Sequence, residues 1–224
     1  MVEFLGFNNQ DFDVFLIPDF HERMFRIRSQ IRPKLAQLGE DVAQRLVPAI
    51  FDSPLFPHTA SHARRRVNPP DDTWVAWGPS ARGYKAFPHF EAGIAADGLF
   101  ARFVLKPEAQ SAKPAVLASL STGRLTALKQ SQTRPVYWYR GDHGEGPVPV
   151  DQLSEDTLAS YIVEAQKPQH SVAIGEVMTR RRTLGAGPDV ARWFLAAFQD
   201  LAPLYRQART TAADGVEAGV SPSR

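Results

Sequence analysis

The 224-residue sequence contains no cysteine. That excludes disulfides, thiolate zinc sites, iron–sulfur clusters and thiol nucleophiles together. It also lacks any run approaching the roughly 20 apolar residues that a membrane span requires. The opening MVEFLGFNNQDF has neither a basic segment nor a long apolar one, so it does not read as a secretory signal. Charge is nearly balanced at +2, which is not the polycation that coats nucleic acid. Missing as well are a Walker loop, a dinucleotide glycine fingerprint, a nucleophile elbow and a catalytic serine motif. These absences leave a soluble, cytoplasmic globular protein as the expectation, with no membrane partner and no cofactor that the sequence names.

What is present is concentrated between Phe56 and Phe90. Those residues hold three of the six histidines, two of the four tryptophans, and five basic side chains against two acidic ones. Around this stretch the chain reads as helices first and strands later. Asn8 and Asn9 are placed to cap a first helix, a second is expected to follow from Asp19, and Pro33 is placed to break or kink it and Gly39 to act as a stop before a further helix. Phe56, Ala60, Ala63 and Val67 fall at helical spacing, predicting a helix from Pro57 to Asn68 with His58 and His62 stacked on its other side. Strands are expected over Thr73–Trp77, Ala86–Ile94, Leu99–Lys106, Val136–Tyr139 and Ser171–Met178, with Asp97-Gly98 as a hairpin turn. In that register Phe90 faces Leu105 and Ala92 faces Phe103 on an apolar face. His89, Glu91 and Arg102 share the polar one. Further helices are expected over Pro114–Leu128, from Ser154 to about Ala165, and over Pro188–Tyr205. The reading is α+β, one domain over 1–209 with a mainly antiparallel sheet flanked by helices, and a disordered tail over 210–224.

Three chemistries fit the central stretch. His58-x3-His62 has the spacing with which two imidazoles on a helix share a metal, although Thr59 stands where a zinc peptidase carries glutamate. His89, Asp142 or His143 would complete the set, with Glu91 or Asp142 as general base, giving a metal-dependent hydrolase as one alternative. Arg64, Arg65, Arg82 and Lys85 supply donors that match phosphate or carboxylate, and Tyr84 with Trp74 or Trp77 supplies a flat cover. The plainer account is that the histidines bond backbone, and that the arginines pair with Asp71, Asp72 or Glu91. The preferred expectation is a cleft for an anionic, phosphorylated or nucleotide-like small molecule, with His58, His62 or His89 shuttling a proton and phosphate hydrolysis or transfer the first reaction to assay. An RNA-binding or protein-interaction module is the third alternative.

The same residues carry a resemblance. Phe56-Pro57-His58, His62-Ala63-Arg64-Arg65, Val67-Asn68-Pro69-Pro70, Asp72 through Trp77, Arg82-Gly83-Tyr84-Lys85 and Pro88-His89-Phe90 are similar to the YktB-like family of small bacterial cytosolic proteins. Ile31-Arg32-Pro33-Lys34-Leu35, Leu38-Gly39 and Gly141-Asp142-His143 join them, so the likeness runs over roughly residues 4–206. It implies a single α+β domain with an antiparallel sheet, and it brings no reaction, cofactor or partner.

Overall fold

The computed structural model describes residues 4–50, 54–120, 134–140 and 146–217, with the side chains of 46–50 and 210–217 left aside. Its seven strands form one sheet in the order β1-β2-β3-β4-β7-β5-β6. They are β1 (Phe56–Thr59), β2 (Asp72–Gly78), β3 (His89–Ala95), β4 (Gly98–Leu105), β5 (Tyr137–Tyr139), β6 (Val148–Pro149) and β7 (Val172–Thr179). The helices are α1 (Asn9–Asp13), α2 (Phe20–Arg26), α3 (Arg32–Ile50), α4 (Lys113–Ser119), α5 (Glu155–Ala165), α6 (Arg180–Ala186) and α7 (Val190–Glu217). This is the expected α+β architecture built on an antiparallel sheet. The chain divides into two compact units, one of residues 1–84, 90–102 and 177–199, the other of 85–89, 103–176 and 200–224.

In the first unit, local signals set the helix starts. Asn8 accepts from the Asp11 amide while Asp11 accepts from the Asn8 amide, a reciprocal cap on α1. Asp19 caps α2 by accepting from the Glu22 amide at 2.7 Å. Pro33 does not end the helix. A π-helical turn over Ile27–Ile31 joins α2 to α3 and absorbs the missing donor upstream. Ile27, Ile31, Leu35, Leu38 and Val42 continue one fully buried stripe through it.

Gly39 does not stop α3 either; it lies in mid-helix. A Cβ there would stand 3.0 Å from Val75 Cγ2 and 3.1 Å from Pro57 Cβ, so glycine lets the helix approach the sheet. Trp77 donates its indole N–H to the Gly39 carbonyl at 2.9 Å. On this same sheet face, Trp77 and Phe90 pack on Phe198 of α7 at 5.4 and 4.9 Å between ring centroids. Helix α7 continues to Glu217, so its backbone is helical over 210–217, where the sequence pattern places the start of a tail.

The hairpin between β3 and β4 is present, with a different turn. Ala96 and Asp97 occupy it, and Gly98 is already in β4. Gly98 has no positive φ. Its requirement is space, because a Cβ would sit 2.2 Å from the Met178 carbonyl oxygen. The register therefore moves by one residue in each strand, which preserves both faces. Glu91, expected diagonal to Arg102, stands opposite it, and Gly93 stands under the Phe100 ring.

The second unit holds the register Tyr137↔Gly175, Trp138↔Ile174 and Tyr139↔Ala173 between β5 and β7. Ser154 caps α5 by accepting from the Thr157 amide, and Glu155 and Asp156 load its first turn, as its sequence predicts. Arg134 bridges Glu176 at 2.8 Å and Asp200 at 2.5 Å. Of the helix expected over 114–128, residues 113–119 form α4, and 121–128 lie outside the described residues.

Candidate functional site

The helix expected from Pro57 to Asn68 does not form. Phe56–Thr59 is instead β1, paired to β2 with Phe56↔Gly78, Pro57↔Trp77, His58↔Ala76 and Thr59↔Val75. The Ala60 amide adds a bond to the Trp74 carbonyl at 2.9 Å. A strand partner brought in from 16 to 22 residues along the chain supplies the backbone bonds that a helix would have supplied internally. Val67, assigned to the buried stripe, is 71% exposed. The residues after β1 form turns in which His62 and Asn68 hold left-handed φ values of 51° and 55°.

His58 and His62 are therefore not one helical turn apart, and they meet different partners. His58 Nε2 lies 2.8 Å from the Ser80 carbonyl oxygen. A carbonyl only accepts, so Nε2 carries the proton and the neutral ring keeps its lone pair on Nδ1. That Nδ1 has no hydrogen-bond partner among the described residues. His62 Nε2 lies 3.0 Å from Thr73 Oγ1.

Both imidazoles nevertheless border one aromatic pair. Trp74 donates its indole N–H to Tyr84 Oη at 3.1 Å. The His58 ring lies 5.7 Å from Tyr84, and the His62 ring meets Trp74 edge-on at 5.5 Å. His58, His62 and Tyr84 are half-buried, while Trp74 is 9% exposed. Behind this layer, Arg102 Nε donates to Glu91 at 2.8 Å, and both side chains are enclosed. The Arg102 guanidinium lies 4.2 Å from the Phe100 ring centroid and 6.0 Å from that of Trp74. The sheet explains the grouping: His58 pairs with Ala76, Ala76 with Glu91, and the turn sets Glu91 against Arg102. One row of the sheet thus carries an imidazole, a carboxylate and a guanidinium on a single face.

The acids expected to neutralise the arginine cluster are largely engaged. Asp71 pairs with Arg23 at 3.0 Å and Glu91 with Arg102. Arg64 and Arg82 are exposed and form no side-chain ion pair or hydrogen bond among the described residues. Arg65 donates to the Asn68 carbonyl at 3.0 Å, steadying the turn that follows His62.

The remaining candidates stand elsewhere. Trp77 is fully buried on the helix-facing side of the sheet, so Trp74 alone of the two tryptophans belongs with the imidazoles. His89 is completely enclosed, its Nδ1 2.8 Å from the Phe87 carbonyl. Enclosure of this kind does not fit a proton shuttle to a bound molecule. Lys85 is exposed and belongs to the second unit. Asp142 and His143 lie outside the described residues. Among those described, no group of three or more histidine or acidic side chains is arranged to hold a metal. Thr73, within β2, and Ser80, just beyond its end, orient the imidazoles and carry no sequence signal for that role.

An antiparallel α+β sheet protein with a histidine–aromatic cluster on one sheet face is the class defined so far. The chain belongs to the family described as a domain of unknown function (DUF1054), which matches residues 7–205. It is 31% identical over 204 residues to a UPF0637 protein of Oceanobacillus iheyensis, covering 91% of this chain and 96% of that one. A UPF0637 protein of Lactiplantibacillus plantarum is 33% identical over 207 residues, covering 89% and 94%. A Bacillus cereus UPF0637 protein reaches 50% over 88 residues, 39% of this chain and 42% of its own. The YktB-like resemblance read from the sequence and these relatives are one family. No helix among the described residues is long and apolar enough to cross a membrane.

Proposed function

We propose that the His58–Tyr84–Trp74–His62 cluster binds an anionic small molecule, phosphorylated or nucleotide-like, on the first unit. The observation that carries this reading is the state of His58. Its Nε2 proton is committed to Ser80, and the Nδ1 of this half-buried residue is left to accept a hydrogen bond from a ligand. Arg64, two positions from His62, and Arg82, two positions from Tyr84, add exposed guanidinium groups without acidic partners among the described residues. Tyr84 and Trp74 offer the flat surface, already oriented by their mutual hydrogen bond. Arg65 serves the same anion while shaping the loop. The site needs neither His89 nor Trp77.

Calorimetric titration of the full chain with pyrophosphate and with ADP tests the reading. Saturable binding is expected, weakened about tenfold or more when Arg64→Ala and Arg82→Ala are combined, since a hydrogen bond to a charged group contributes about 1.5–3 kcal/mol. Absence of saturable binding at millimolar probe, or equal binding by the double variant, contradicts it. Tighter binding of any single-stranded oligonucleotide, falling steeply with salt, would instead make this a nucleic-acid surface.

A further inference from the structure

A second place in the molecule, within the second unit and independent of the histidine cluster, has the make-up of a ligand site. Helices α4 and α5 line a groove of about 370 Å³. That falls at the lower end of the range typical of small-molecule pockets, about 300–1,000 Å³. Pro114, Leu117, Ala118 and Ile162 give it an apolar lining. Lys113 also lines it, although the residue is only 2% exposed. Its Nζ donates to the Lys167 carbonyl at 2.9 Å, which uses one of three N–H donors. No carboxylate stands within ion-pair distance of it among the described residues. An ammonium removed from water and given no counter-charge is costly, and chains seldom keep one without a use. Gln110 sits at the rim, with its amide N–H groups donating to the Pro107 and Pro168 carbonyls. Its carbonyl oxygen therefore remains an acceptor, which disfavours a second negative charge beside it.

We infer that this groove binds a small amphipathic monocarboxylate, with the carboxylate against Lys113 and the apolar body along Leu117 and Ile162. One cation, one acceptor at the rim and an apolar lining match a single negative charge on a hydrocarbon body better than a phosphate. Burial lowers the Lys113 pKa, in keeping with an ammonium that lacks a counter-ion until the ligand arrives.

The test is a titration of the full chain with sodium octanoate and, in parallel, 1-octanol, followed by the methyl resonances of Leu117 and Ile162. Octanoate is expected to shift both and to bind about tenfold more weakly to Lys113→Met, which keeps the side-chain bulk. Octanol is expected to bind both forms alike. Ala118 is exposed, so Ala118→Trp fills the groove without touching the core and is expected to abolish both shifts while leaving the thermal midpoint unchanged. Equal octanoate affinity in the wild type and Lys113→Met, or octanoate shifts confined to other methyls, would overturn the inference. So would an absence of binding at millimolar octanoate. None of these outcomes bears on the histidine cluster.

Discussion

At the residue scale, several side chains are held by what surrounds them more than by their own preferences. Glu91 and Arg102 are the plainest case. Both are enclosed and joined at 2.8 Å, so removing either one strands a buried charge. Arg102→Met is expected to destabilise the protein by about 3–5 kcal/mol, whereas the pair Glu91→Gln with Arg102→Met should recover most of that loss; urea unfolding of the three proteins measures both. Gly93 is a steric counterpart. A Cβ there would fall 2.0 Å from Phe100 Cζ, on the ring that carries Arg102. Gly93→Ala should cost about 1–3 kcal/mol, and much less when Phe100 is already alanine, a non-additivity that a double-mutant cycle reads directly. Lys113 titrates against the fold. Burial holds its pKa below the usual 10.5, so between those two values the unfolded chain carries the extra proton. Stability therefore rises with pH across that window, and Lys113→Met should flatten the rise. Unfolding midpoints are best compared below pH 10.0, because Tyr205, raised from that value by burial, adds a fall of opposite sign above it.

At the element scale, the parts legible from sequence are those whose causes are local. The caps of α1 and α5 are legible because a side chain three residues away satisfies the amide that needs it. Both faces of the β3–β4 hairpin were readable because alternation survives a shift of one residue in each strand. Three features had causes out of sequence reach. Gly98 mimics a turn glycine, yet what demands it is the Met178 carbonyl. Gly39 mimics a helix stop, yet what demands it is the sheet beneath α3. Strand β1, with a proline and one β-branched residue, has little strand propensity of its own and is made by pairing with β2. Helical spacing there puts His58 and His62 on one helical face, whereas in the strand and turn they border the same aromatic pair by another route. Gly39→Leu should therefore lower stability by at least about 1–3 kcal/mol even though leucine favours helix, because the side chain must displace Val75 and Pro57; a drop in the thermal midpoint checks it, and a rise would contradict the close approach.

At the scale of the whole molecule, family membership was legible from the motif run between Phe56 and Phe90. Of the ten residues that the sequence singles out for a site, His58, His62, Trp74 and Tyr84 meet in one cluster, while Trp77 and His89 lie in packing. Sheet face separates Trp77 from the cluster, whereas His89 shares the cluster's face and is set apart by its enclosure, a depth of packing that alternation along a strand does not report. The most direct test of the histidine cluster as a ligand site uses the full chain with ¹⁵N-labelled histidine, assigned with His58→Asn and His89→Asn. On adding pyrophosphate or ADP, the Nδ1 resonance of His58 is expected to move saturably while the ring resonances of enclosed His89 stay in place. A His58 signal that does not respond, or a His89 signal that moves equally, would contradict the account.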